Sequence, residues 1–394
     1  MSDLAALVNR NLKSAPFSPI RSIFEEVLKL ENSGESVIRL DIGSPNFKAP
    51  KEIIKNVNKY LSEGKYNYSS NWGVARLRNE LVDSVKSKSN LDFNPSNEII
   101  ITNGASEAVA TAIYSLLNDG EEFIIPTPAW PHYIACFKLF DKSYVEVETT
   151  SNENFKLTPE KLKKNITDKT KILILNSPCN PTGSVYSHEE FELLYQICVE
   201  NNILIILDEI YENLNFKHKK SLLSSCYDKG RVLYINGFSK NFGMTGFRLG
   251  YLMASSELMK EMIKYHQYTN VCGQEFAQEA CADFLSNPDD VLKFNIAVKD
   301  NLEKQSRLLT QFKGQYDICM TEPEGAFYTF IKIPEGYSSA QAFCMDVLKN
   351  DKISLIPGDA FGTYYSSFYR LSYGSVTESE LGLALELLSK YYIK

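Results

Sequence analysis

The chain is predicted to be α/β, with a mostly parallel sheet covered by helices and a smaller α+β unit. Three observations predict this. Short, nearly unbroken apolar runs recur between residues 98 and 254, as expected of strands buried on both faces. Helical patterns lie between them, and strand–helix alternation favours parallel pairing with helical crossovers. Beyond residue 290 the alternation gives way to a long helical pattern followed by short strands and helices.

In chain order, "EIIIT" (98–102) is the first buried strand, and "ASEAVATAIYSLL" (105–117) follows as a helix. "EFIIP" (122–126) and "KILILN" (171–176) continue the sheet. The helix "SHEEFELLYQICVEN" (187–201) leads into "NILIILD" (202–208), and "RVLYIN" (231–236) and "RLGYLMA" (248–254) complete the set. "SSELMKEMIKYHQYT" (255–269) reads as a helix. The later unit comprises the helix "DDVLKFNIAVKDNLEKQSRLLTQF", the strand "GAFYTFIKI", the helix "SSAQAFCMDVLKN", the strands "ISLIPG" and "FYRLSYG", and the helix "ESELGLALELLSKYY". The expected division is a large domain at 47–289 and a small domain formed by 1–46 and 290–394. No Gly/Ser linker separates them, so a packed interface is expected.

Composition narrows the function classes. At 394 residues, with 44% hydrophobic and 23% charged residues, the chain reads as a soluble globular protein of two units. Its net charge is −7 and its basic residues are scattered, which does not suit nucleic acid. No apolar run has the length of a membrane span, and "MSDLAALVNRNLKSAPFSPI" lacks the apolar centre of a secretory signal, so a cytoplasmic protein is expected. Eight dispersed cysteines without a CxxC pair read as reduced thiols. Four isolated histidines offer no metal-ligand spacing, so no metal is expected.

In sheets of this kind ligands sit at the carboxyl ends of the strands, so the residues just past each strand matter most. "NGASEA" places Gly104, Ala105 and Ser106 at a helix start, where free N–H groups favour an anion. "TPAWPHY" offers Trp130, and "SPCNPTG" fixes Asn180 between prolines. "DEIYENL" offers Asp208 and Tyr211. "GFSKNFGMTGFRLG" (237–250) presents Ser239, Lys240 and Arg248 in a bend loosened by Gly237, Gly243 and Gly246. Each residue alone has an ordinary reading. Asp208 suits a helix N-cap, Asn180 a turn, Trp130 the core, and Lys240 a solvated surface. Their joint order suits one ligand, a phosphorylated basic aromatic ring bound through an imine. A lysine with a lowered pKa forms the imine, a carboxylate keeps a ring nitrogen protonated, and an arginine fork with the helix start holds the phosphate. That ligand is pyridoxal 5'-phosphate.

"NPTG" (180–183), "DEIY" (208–211) and "FSKNFGMTGFRLG" (238–250) resemble the signatures of the fold-type I, class I/II aminotransferases. The resemblance runs from "LDIGSPNF" (40–47) to "RLSYG" (370–374). It implies that Lys240 bonds the cofactor, Asp208 partners the pyridinium, and Asn180 and Tyr211 donate to the ring oxygen. It implies that Trp130 stacks on the ring, and that Ala105, Ser106, Ser239 and Arg248, with Gly104, form the phosphate cup. Arg370 resembles the arginine that takes the substrate α-carboxylate, with Gly43 and Asn180 beside it. Tyr68 resembles the tyrosine that reaches the neighbouring subunit's phosphate, which implies a homodimer with shared sites.

The resemblance implies an aminotransferase that moves an amino group between an L-amino acid and a 2-oxo acid by a ping-pong mechanism. Trp72 departs from it, standing where a smaller residue is usual. Tyr265 departs as well, occupying the place of a second arginine that binds a side-chain carboxylate in the aspartate enzymes. Tyr265, Tyr268, Phe276 and Phe17 could line a side-chain pocket or pack a dimer interface. A pyridoxal-dependent lyase, γ-eliminating synthase or cyclase shares the same cofactor residues and stays open as an alternative. A non-catalytic regulator fits less well, because Lys240 is present and no DNA-binding appendage precedes residue 20. A nicotinamide dehydrogenase is excluded, since no strand is followed by GxGxxG.

Overall fold

The computed structural model describes residues 4–15, 21–218 and 220–393. Its strands are β1 (Ile38–Arg39), β2 (Ile99–Thr102), β3 (Glu122–Thr127), β4 (Ser143–Glu148), β5 (Thr170–Asn176), β6 (Leu204–Asp208), β7 (Val232–Gly237), β8 (Gly250–Met253), β9 (Tyr328–Lys332), β10 (Ile353–Ser354), β11 (Ile356–Pro357) and β12 (Phe368–Ser372). Seven of them form one sheet in the order β2-β8-β7-β6-β5-β3-β4. β4, β3, β5, β6 and β7 run parallel, and β8 is antiparallel to both its neighbours. The exception has a local cause. Parallel neighbours require a long crossover, whereas β7 returns into β8 through a short segment holding only single helical turns.

Both faces of the sheet are covered. Ile124, Leu173, Ile205 and Tyr234 pack on one side, while Phe123, Ile172, Ile206 and Ile235 pack on the other. Successive strand side chains alternate between faces, so burial of both turns alternation into the continuous apolar runs seen in the sequence. A third core gathers Ile23, Val27 and Leu40 from the N-terminal segment with Phe330, Val347, Tyr369 and Leu385 from the C-terminal third. Two small sheets cross it, the parallel pair β1–β10 and the antiparallel set β11-β12-β9. The helix Pro288–Tyr316 links the cores. Its Val291 packs with the first core and its Val298, Leu302 and Leu309 with the third.

The six apolar runs of the large sheet become strands within a residue or two of their expected ends. "ISLIPG" does not stay one strand. Leu355 breaks it into β10 and β11, which serve different sheets. β4 was not anticipated because "SYVEVE" alternates polar and apolar residues, as suits a strand with a single neighbour at the sheet edge. The helices Lys51–Ser62, Ala75–Lys88, Pro131–Leu139 and Glu275–Leu285 were likewise not anticipated. Among the described residues no helix is long and apolar enough to cross a membrane.

Candidate active site

Asp208 ends β6, so the strand that buries its backbone also delivers its carboxylate to the sheet edge. The residue is 1% exposed. Its Oδ1 accepts from the Ile210 N–H at 3.1 Å and its Oδ2 from the Tyr133 hydroxyl at 2.5 Å. It is not a helix N-cap, because the next helical turn begins at Glu212 with Tyr211 in the capping position. Burial pushes its pKa up to about 6, and the Tyr133 and Ile210 hydrogen bonds only partly oppose that. A carboxylate held this way favours a cationic partner.

Lys240 follows β7. The expected bend is a single helical turn, Phe238–Asn241, so the lysine is aimed by helical geometry rather than by loop freedom. Of the three glycines, Gly243 has a φ of +65° and an added Cβ would lie 2.5 Å from the Phe47 carbonyl oxygen, while a Cβ at Gly237 would lie 3.1 Å from the Gly250 Cα and the Leu249 carbonyl oxygen. Gly237 is extended, and nothing crowds Gly246. The Lys240 ammonium donates to the Gly43 carbonyl. Burial pushes its pKa down to about 8, and the charges of Arg370 and Arg248 add to the effect. Among the described residues it forms no ion pair with a carboxylate. Its amine is therefore available in neutral, nucleophilic form far more readily than that of a solvated lysine.

Arg370 comes from β12 in the third core and is buried. Its Nη1 donates to Asn180 Oδ1 at 3.1 Å and its Nη2 to the Asp41 carbonyl at 2.5 Å. The guanidinium lies 4.8 Å from the Tyr328 ring centroid and 5.1 Å from that of Phe361. Its Nε is buried without a partner among the described residues, so the group retains capacity for an anion. Because a guanidinium only donates, Asn180 turns its oxygen to Arg370, which leaves its amide N–H groups to donate elsewhere. The Tyr211 and Tyr328 hydroxyls meet at 3.0 Å.

The helix Ala105–Ser115 begins without a side-chain cap, and while the Glu107 and Ala108 N–H groups donate to the Gly104 carbonyl, those of Ala105 and Ser106 have no helical acceptor and suit an anion. Gly104 has φ +84°, and a Cβ there would lie 2.5 Å from Arg248 Nη2. The turn thus accepts the guanidinium only because residue 104 has no side chain. Arg248 itself is exposed and donates to the carbonyls of Thr245 at 3.1 Å and Asn103 at 3.5 Å.

One cavity of about 320 Å³ is lined by Gly43, Ala105, Ser106, Trp130, Asn180, Asp208, Tyr211, Ser239, Lys240, Arg248 and Arg370. Gly104 stands behind this wall rather than in it. Residues that the sequence reading did not single out also line it: Phe24, Asp41, Ile42, Tyr133, Asn176, Ile210, Thr245 and Tyr328. Tyr133 lies three residues past Trp130, so its place near that aromatic was a usable signal. Asn176 was another, as the last residue of its strand; its side-chain amide donates to the Asp208 carbonyl at 2.9 Å.

Tyr68 is not in this cavity. It is 87% exposed and lines a second cavity of about 560 Å³ together with Tyr66, Phe276 and Arg248, so Arg248 borders both. Within one chain, Tyr265, Tyr268 and Phe276 do not line the first cavity. Tyr265 packs on Tyr114 at 4.4 Å, Tyr268 is 84% exposed, and Phe276 lies in the second cavity. Phe17 lies outside the described residues.

The donor set fits pyridoxal phosphate: an aldehyde-reactive amine, a buried carboxylate for a ring N–H, an aromatic wall, and a helix start with an arginine for a phosphate. The comparisons with known proteins agree. Residues 35–388 match the family described as aminotransferase class I and II. The chain belongs to this family. It is 33% identical over 99% of its length to an aspartate aminotransferase of Pyrococcus abyssi, covering 97% of that protein. It is 31% identical to an aromatic-amino-acid aminotransferase of Thermococcus litoralis, with 95% of each chain covered. It superposes with a TM-score of 0.92 on a Thermus thermophilus aspartate aminotransferase mutant, at 28% identity and covering 98% of this chain and 99% of the other. This class I/II enzyme is thus an aminotransferase that uses pyridoxal 5'-phosphate to move amino groups between amino acids and 2-oxo acids. The lyase, synthase and cyclase alternatives and the non-catalytic reading are not favoured.

A pH-dependent cost follows from Asp208. Its folded pKa lies above its unfolded value, so the folded chain holds the extra proton between those two values and the carboxylate destabilises the fold above them. In the cofactor-free protein Asp208→Asn should therefore raise stability at about pH 7, by up to about 3 kcal/mol. The gain should shrink as the pH falls below about 6 and vanish below 3.8. Denaturant melts across this range check it, and a variant no more stable than the parent at neutral pH contradicts it.

Proposed function

We propose that Asp208 pairs with the protonated ring nitrogen of the cofactor, and that Tyr133 holds that carboxylate in place. Lys240 bonds the aldehyde carbon, Trp130 lies against the ring, and Asn180 and Tyr211 donate to the ring oxygen. Gly104, Ala105, Ser106, Ser239 and Arg248 hold the phosphate. Arg370, with Asn180 and Gly43, takes the α-carboxylate of the substrate. The observation that carries this reading is the convergence of Lys240, Asp208 and Arg370, from three distant parts of the chain, on one cavity. We also propose the division into a large domain at 47–289 and a small domain of 1–46 with 290–394, which the separate third core supports.

When bound, pyridoxal phosphate supplies a carbonyl for the amino group and a cationic ring that withdraws electrons from the substrate Cα. The chain supplies positioning and proton transfer. Lys240 would hold the cofactor through its amine, and once free of it would stand beside the substrate Cα. With its pKa lowered to about 8, its neutral amine would be suited to take the proton from the substrate Cα as a general base, and its ammonium to act as the general acid that gives a proton back. Arg370 and Asn180 orient the substrate so that this Cα–H faces Lys240. Asp208 keeps positive charge at the ring nitrogen while electron density builds. The same residues then run the sequence backwards with a second oxo acid.

The named relatives act on aspartate and on aromatic amino acids. Among the described residues, the cavity's cations are Lys240, Arg248 and Arg370, and each has a task in this reading. Phe24, Ile42, Ile210 and Tyr328 supply its apolar and aromatic wall. We therefore propose a donor with a neutral, apolar or aromatic side chain. L-phenylalanine or L-leucine should convert the cofactor to its amine form at least about tenfold more efficiently than L-aspartate, read by absorbance. Arg370→Lys should raise the half-saturating amino acid concentration about 100-fold, through loss of the two-pronged carboxylate contact. Faster conversion by aspartate contradicts the substrate proposal, and an unchanged half-saturation contradicts the role of Arg370.

Exposure of both Tyr68 and Arg248 supports a shared site: the cup is open to solvent in one chain, and Tyr68 of the partner subunit closes it in a homodimer. Tyr68→Phe should then speed cofactor release about tenfold or more, since a hydrogen bond to a charged group is worth about 1.5–3 kcal/mol. Mixing Tyr68→Phe with Lys240→Ala protein under subunit exchange should recover activity, because one site of the hybrid has both residues intact. No gain on mixing rules out the shared site.

A further inference from the structure

A buried side-chain pair lies behind the start of the helix Ala105–Ser115. His266 is fully buried in the helix Ser256–Thr269, which packs against it. Its Nδ1 faces Glu107 Oε1, and because a carboxylate only accepts, Nδ1 donates. The other oxygen, Glu107 Oε2, accepts from the backbone N–H of Asn103 at 2.5 Å. The Asn103 carbonyl in turn faces Arg248 Nη2 at 3.5 Å. His266 Nε2 and Asn103 Oδ1 are buried without partners among the described residues, so the polar function of the imidazole is spent on Glu107 alone.

This placement has an electrostatic consequence. Glu107 follows Ser106 in the first turn of the helix, where a carboxylate suits the helix dipole. It also sits beside the place proposed for a phosphate dianion, which an uncompensated carboxylate would repel. The imidazole N–H draws that charge onto itself and fixes the carboxylate against the Asn103 N–H. The backbone of His266 serves the neighbouring loop. Its carbonyl accepts from the N–H groups of Asn270 at 2.9 Å and Val271 at 3.0 Å. The Val271 carbonyl then holds the Asn71 side-chain amide at 2.7 Å, in the segment that carries Tyr68.

We propose that His266, acting through Glu107, is a positioning residue for the cofactor phosphate: its Nδ1–H holds the Glu107 carboxylate against the Asn103 N–H, which fixes the Asn103–Gly104 turn and keeps the carboxylate turned away from the phosphate, so that the enzyme retains a dianionic cofactor. The inference rests on the phosphate-cup reading above. A hydrogen-bonded pair that merely filled the core would affect every cofactor form alike.

The test compares release of pyridoxal phosphate and of pyridoxal, which lacks the phosphate, from the loaded enzyme by absorbance after dilution. His266→Ala should release pyridoxal phosphate about tenfold faster and leave pyridoxal release unchanged within about twofold. Adding Glu107→Gln should restore retention to within about threefold, since the amide oxygen still accepts from Asn103 and the charge is gone. If His266→Ala does not fold, His266→Asn, which keeps a donor near the Nδ1 position, and Glu107→Gln alone should each retain pyridoxal phosphate within about threefold of the parent. Equal acceleration for both cofactor forms, no acceleration for pyridoxal phosphate, no rescue by Glu107→Gln, or selective loss of pyridoxal phosphate in either conservative variant overturns the proposal. Arg248→Ala separates this from failure of the cup itself. If it shows no phosphate-selective loss, the cup reading falls; if it shows that loss and His266→Ala does not, only the role of His266 falls.

Discussion

Burial of the Lys240 amine beside two guanidinium groups sets the terms for the rest of the cavity. Neither Arg370 nor Arg248 neutralises the lysine; both make its proton less welcome. Arg370 must then be carried by other means. It rests on the Asp41 carbonyl, the Asn180 side chain and two aromatic rings rather than on a buried carboxylate. The Asp41 carboxylate is occupied by Arg39, with contacts at 2.9 Å. Negative charge enters the cavity floor at Asp208, whose pKa is raised by burial because its two hydrogen bonds only partly offset the loss of water. A ligand with an electrophilic carbonyl, a basic ring and two anionic ends answers all of these groups together. Without it the fold carries charges whose burial is only partly compensated, a common cost of a preorganised site.

The architecture explains how such groups meet. β6 and β7 are neighbouring parallel strands, so Asp208 and Lys240 leave the sheet at the same edge. β8 returns antiparallel and brings Arg248 back toward the Gly104 turn, where its guanidinium fits against a residue without a side chain. Arg370 arrives from a different core, carried on β12, and the N-terminal segment supplies Gly43. The long helix Pro288–Tyr316 packs into both cores and fixes their relation.

Much of this was legible because burial leaves a mark on composition. Strands covered on both faces read as unbroken apolar runs, and polar residues directly after such runs drew attention to Asp208, Asn180 and Lys240. What escaped notice has physical reasons. β4 sits at an edge, where alternation and charge blur the signal. "ISLIPG" reads as one strand in the sequence because its apolar character does not reveal that the chain changes sheets at Leu355. The turn after β7 was read as a glycine bend, whereas only Gly243 uses left-handed geometry and Lys240 rides on a helical turn. Tyr265 and Tyr268 suit either a substrate pocket or a dimer interface; in the single chain one packs on Tyr114 and the other is exposed. Asp41 and Tyr328 touch the key groups across long sequence separations, which periodicity cannot report. His266 read as an isolated histidine for the same reason.

The central claim is that Lys240, kept ready to lose its proton, is the group that bonds the cofactor. Borohydride reduction of the loaded enzyme followed by peptide mapping by mass spectrometry tests it most directly. The account predicts one reduced pyridoxal-phosphate adduct per chain, on the peptide containing Lys240. An adduct confined to any other lysine, or no adduct in a protein that binds the cofactor and transaminates, would contradict it.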